Sequence, residues 1–74
     1  MSKFIHRLDA ERGTATRIAE LFGVSNGFVS NVKARRKLIP AEWYSGLHTN
    51  FGFEYSDLVD HNDATRERFL ASGL

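Results

Sequence analysis

Asn26, Ser30 and Asn31 bring two amides and a hydroxyl within six positions of one another, the groups that donate to and accept from base edges in a major groove. Directly behind them stand Arg35, Arg36 and Lys37, cations of the kind that neutralise backbone phosphates. A helix advances about 100° per residue. On such a helix Val29, Val32 and Phe28 share one side, and Ser30, Ala34, Gly27 and Asn31 spread around the opposite one. That outward face is small and polar, which suits a helix lying against nucleic acid. The bland alternative for Arg35–Lys37 is a solvated helix end whose cations favour the helix dipole. Adjacency to the polar face favours phosphate contacts instead.

Two helices must position this face. Thr14 is the expected cap of the first, with Ile18, Ala19, Leu21 and Phe22 facing inward over 15–22. Gly23 ends it, because glycine tolerates the left-handed backbone of a reversal. Ser25 then caps the second helix, 26–35, which buries Val29 and Val32, with Phe28 beside Val32 either in the core or at the edge of the interface. An exposed Phe28 wedge that stacks on bases is the less favoured alternative. The pattern Ala19-x3-Gly23-Val24-x4-Val29-x2-Val32 is that of a helix-turn-helix: a small residue where the helices cross, a turn, a plug and two buried valines.

The segment GVSNGFVSNVK resembles the recognition-helix region of the small Cro-type repressors of temperate bacteriophages, and the likeness covers about a third of the chain. The resemblance implies a sequence-specific regulator that binds a palindromic operator in double-stranded DNA as a homodimer. It places base-reading positions at Ser25, Asn26, Gly27, Ser30, Asn31 and Ala34, with a phosphate contact at Lys33. Thr16, Arg17, Arg35, Arg36 and Lys37 complete the expected DNA-facing set. Gly27 and Ala34 depart from a hydrogen-bonding pattern, so readout leans on Asn26, Ser30 and Asn31.

Composition fits one small domain. The chain has 74 residues, 42% hydrophobic and 26% charged, with no Cys to form a disulfide or a thiolate zinc site. Net charge is only +1, but residues 1–40 carry eight Lys/Arg against three acids while residues 41–74 carry two against six. A basic half (+5) beside the motif and an acidic half (−4) away from it would orient the molecule on a polyanion. No apolar run reaches membrane-spanning length and no signal-peptide pattern opens the chain. With the resemblance, that makes the bacterial cytoplasm the expected location. His6, His48 and His61 lack metal-ligand spacing, and His61, between Asp60 and Asn62, reads as a loop residue. No phosphate-cradling Gly loop and no nucleophile–base set can be assembled. Neither catalytic residues, nor a metal or cofactor, nor a small-molecule substrate is expected.

The remaining elements complete an all-α bundle of about five short helices. Ser2 caps a helix over 3–12 with Phe4, Ile5 and Leu8 inward, ended by Gly13. Pro40 fits the first position of a helix carrying Trp43, Leu47 and Phe51, ended by Gly52. Phe51, Phe53 and Tyr55 alternate as in a strand, so a short dimerising strand near 51–55 is the alternative to a helix capped by Ser56 through Leu58 and Val59. The last helix, 64–72, is capped by Asn62 or Asp63, holds Phe69 and Leu70 inward and precedes Gly73. Trp43, Tyr44, Phe51, Phe53 and Tyr55 crowd into 13 residues, and with Leu47, Leu58 and Val59 they make the 43–59 segment an apolar patch suited to self-association, the alternative being that all of them pack inside one subunit. The competing class of function is a protein-interaction module, for instance an antirepressor. There the helix-turn-helix only packs the fold and the aromatic half binds a partner.

Overall fold

Five helices account for most of residues 3–72, the part of the chain that this computed structural model describes. They are α1 (Lys3–Ala10), α2 (Thr14–Phe22), α3 (Asn26–Lys33), α4 (Trp43–Phe51) and α5 (Tyr55–Ala71). There is no strand among the described residues, so the 51–55 alternation is not one. Phe51 ends α4, Phe53 plugs the core from the connecting loop, and Tyr55 opens α5. Ser2 and Gly73, the expected first cap and last stop, lie outside the described residues.

The core draws on every element. Phe4 and Leu8 enter from α1, Ile18 and Ala19 from α2, Val29 and Val32 from α3, Trp43 and Leu47 from α4, and Leu58 from α5; Ile39 and Phe53 fill it from loops. Trp43 lies under the α2–α3 unit, stacked on Phe22 at 4.5 Å and tilted against Phe28 at 5.4 Å. Gly46 lets α4 come this close: a methyl group there would stand 3.0 Å from the Phe22 ring. Each large apolar side chain buried in this way contributes roughly 1.5–3 kcal/mol. That driving force explains why the aromatic segment turns inward. Trp43, Leu47, Phe53 and Leu58 are all buried, and only Tyr55 and Val59 of the expected patch stay exposed.

Several local expectations are corrected. Gly13, not Thr14, occupies the cap position of α2, and Thr14 is the first helical residue with its side chain buried. Leu21 is 46% exposed rather than inward. Both α1 and α3 stop two residues early, at Ala10 and Lys33. Pro40 precedes α4 by a turn, accepting from the Trp43 N–H at 2.9 Å. The largest difference is α5, one continuous 17-residue helix in place of a break near 62. Neither Ser56, Asn62 nor Asp63 caps anything there, and Leu70 is 76% exposed.

The continuity of α5 has a tertiary cause. Asn62 normally favours caps because its amide competes with its own backbone. Here that amide is taken by Ile39, which lies in the segment between α3 and α4. Asn62 Oδ1 accepts from the Ile39 N–H at 2.7 Å, and Nδ2 donates to Ile39 O at 3.1 Å and to the Tyr44 hydroxyl at 2.7 Å. Both backbone groups of a buried, non-helical residue are thereby satisfied, as burial requires. Thr65 completes the stripe by donating back to His61 O at 2.9 Å.

Candidate nucleic-acid interface

The turn between α2 and α3 is set by two local devices. Gly23 adopts φ 67°, ψ 35°, and its N–H and that of Val24 return to Glu20 O and Ala19 O. Ser25 then caps α3, its Oγ accepting from the Phe28 N–H at 3.1 Å. Val29 and Val32, 1% and 0% exposed, fix which side of α3 faces the core. Asn26, Gly27 and Ser30 consequently stand exposed, and Asn31 is half-buried beside them. At Gly27 an added methyl would meet only Ser25 Oγ, at 3.7 Å, so this part of the surface is open to close approach. Thr16 and Arg17 are exposed on α2. The Ser25 oxygen is occupied by its cap, which leaves its O–H for any outside partner.

The cations behave differently from one another. Lys33 pairs with Asp9 of α1, and both side chains are well exposed. A surface pair of this kind is worth no more than about 1 kcal/mol, so a phosphate can displace the carboxylate. Arg17 lies over the Phe51 ring at 5.8 Å and Lys37 over Phe28 at 5.5 Å, contacts that steady the long side chains without neutralising them. Arg36 is exposed, with one long contact of 3.5 Å to Asn31 Oδ1. Ala34 and Arg35 fall outside α3: Ala34 is its half-buried cap, and Arg35 turns the chain away with φ 63°. Arg7, counted with the basic half, is structural. It lies over the Phe53 ring and donates to Phe51 O and Gly52 O at the end of α4.

Two residues of α5 that the sequence did not single out for this region hold the end of α3. His61, expected in a loop, is fully buried in the helix, tilted against Phe4 at 4.7 Å, with Nε2 2.8 Å from Val32 O. A carbonyl can only accept, so that nitrogen carries the proton. Burial pushes the pKa of His61 below its ordinary 6.5; the Val32 carbonyl opposes the shift and the nearby Arg35 charge adds to it. Arg68, from the acidic half of the chain, donates to Ala34 O. Division by sequence therefore misplaces this cation, which the fold carries to the end of α3. A conventional search could not find it, since its partner is a backbone carbonyl 34 positions away.

No family of known proteins, curated relative or solved structure matches the chain. Among the described residues, no helix is long and apolar enough to cross a membrane.

Proposed function

We propose that the protein is a sequence-specific DNA-binding regulator, that α2 and α3 act as its helix-turn-helix, and that α3 enters the major groove. The observation that carries this is one face of α3. Asn26, Gly27 and Ser30 are exposed beside Asn31, while the valines behind them are buried and cations follow at the helix end. Neither α2 nor α3 has an acid in its first turn, so nothing there repels a phosphate. Asn26, Ser30 and Asn31 are the base readers; Arg17, Lys33, Arg36 and Lys37 supply the sequence-blind, salt-dependent attraction.

A single α3 contacts too few base pairs to single out a genomic site, so the working unit is a two-fold dimer on a palindrome, with half-sites about 34 Å apart. Tyr55 and Val59, exposed one turn apart on α5, are the large apolar residues that the 43–59 segment leaves exposed for self-association. The activity is that of a Cro-type repressor. Electrophoretic shift at low salt, with and without random competitor DNA, tests the proposal. A retarded complex that survives competitor only on selected sequences is expected; no complex with any duplex would sink it. Sedimentation of the wild type and of Val59→Lys tests the dimer, which predicts that the substitution yields monomer while helical content is unchanged.

A further inference from the structure

Beside the end of α3, the last turns of α5 leave an open cavity of about 260 Å³ lined by Arg35, Arg36, Arg68, Phe69 and Ser72. Its three guanidinium groups stay charged at any physiological pH. None meets a carboxylate among the described residues, where the ion pairs are Lys33–Asp9 and Arg66–Asp63. Three like charges around one cleft repel each other until an anion enters. Two further observations point to such an anion. Arg35 Nε is shielded from solvent and has no hydrogen-bond partner, so the guanidinium is held against the protein on that side and only its outer nitrogens are left to meet an anion. Arg35 also holds a left-handed backbone, φ 63°, that its side chain disfavours. Arg68 is not loose at this site either, since one of its nitrogens is tied to Ala34 O.

We propose that Arg35, Arg36 and Arg68 form a phosphate clamp, which grips a backbone phosphodiester of duplex DNA just beyond the base-reading part of α3. Guanidinium groups match phosphate oxygens with paired N–H donors, and Phe69 lines the same cleft. The choice of a DNA phosphate over a free one rests on the function proposed above, which lays α3 in a groove whose edges are phosphates. Arg68 is then a DNA contact contributed by a helix outside the α2–α3 unit.

The test is the salt dependence of binding to a short random-sequence duplex. Arg68→Gln should weaken binding about tenfold, the scale of one lost charged hydrogen bond. It should also flatten the slope of log K against log salt by about one unit, one phosphate's worth. Arg68→Lys, which keeps the charge, should retain the slope. Arg66→Gln, on the same helix but outside the cleft, should leave both unchanged. Because Arg68 also holds Ala34 O, the exposed Arg36→Gln provides a second variant whose slope must fall alike, with folding of each confirmed by its thermal melt. A slope in Arg68→Gln and Arg36→Gln equal to that of the wild type overturns the clamp while leaving DNA binding intact. Titration with inorganic phosphate, followed through the Arg35 and Arg36 amide resonances, separates the two sources. Phosphate binding with no duplex binding at any salt overturns the assignment to the DNA backbone, and with it the DNA-binding proposal.

Discussion

The ends of α2 and α3 are closed in the same way by opposite residues. In α2 the N–H groups of Gly23 and Val24 return to Glu20 O and Ala19 O; in α3 those of Arg35 and Arg36 return to Val32 O and Asn31 O. The residue that makes the reversal sits at φ 67° in one case and φ 63° in the other. The end of α4 also reverses through a left-handed residue, Gly52 at φ 72°, with the N–H groups of Gly52 and Phe53 returning to His48 O and Leu47 O. Glycine adopts this conformation freely, whereas a residue with a Cβ loses roughly 1–2 kcal/mol. An arginine is therefore kept at one of three left-handed helix ends against the backbone's preference. The difference teaches where a side chain matters: the end of α2 needs only to reverse, while the end of α3, on the function proposed above, would reverse and present a cation. It also explains why α3 is held from outside, by His61 at Val32 O and Arg68 at Ala34 O.

Removing that outside hold has the largest expected effect. His61→Ala empties a fully buried ring site and leaves Val32 O with one partner fewer, which should cost about 3 kcal/mol of stability. Denaturant unfolding should show a lower midpoint at unchanged slope; a loss under ~1 kcal/mol would mean that α3 is not anchored there.

Acid perturbs the same contact more gently. The folded pKa of His61 lies below 6.5, so the unfolded chain takes up its proton first as pH falls. The stability tied to neutral His61 is fully present above about pH 6.5 and is lost as pH drops from there toward the folded value. Protonation would also set a second cation against Arg35. Melting temperature measured between pH 8 and pH 5 should decline on the acid side, more in the wild type than in His61→Phe. A flat profile, or equal declines, would contradict a neutral buried His61.

The smallest effects come from exchanging the two turns. Gly23→Ala should destabilise by about 1 kcal/mol, because alanine resists the left-handed turn. Arg35→Gly should leave stability unchanged or raise it by up to ~1 kcal/mol, yet weaken duplex binding. That opposition of stability and binding is the signature of a turn shaped for function. If Arg35→Gly instead unfolds the protein or binds DNA as well as the wild type, the comparison between the turns loses its meaning.

What the sequence made legible follows the same division. The α2–turn–α3 spacing could be read because each device is local: Gly23 stops a helix, Ser25 caps three residues ahead, and Val29 and Val32 fall on one side by periodicity. The buried stripe of α5 could not, although Leu58, His61, Asn62 and Thr65 have ideal helical spacing. Three of those four are polar, and a search for apolar periodicity takes them for a loop and a cap. His61 and Asn62 are satisfied by the backbone of Val32 and Ile39, distant in sequence. Arg68 was hidden for the same reason, in a half whose acidic total concealed one cation at the end of α3. The aromatic cluster misled in the other direction, since count alone does not tell an inward Phe53 from an outward Tyr55.

That α3 reads base edges is tested most directly by selecting bound duplexes from a random pool and comparing wild type with Asn31→Ala on the selected and the random sequence. An Asn amide paired with adenine discriminates by roughly 1–3 kcal/mol. The wild type should enrich one palindromic sequence. Asn31→Ala should lose about tenfold or more on that sequence and nothing on random DNA. No enrichment by the wild type, or equal losses on both duplexes, would contradict base reading by α3.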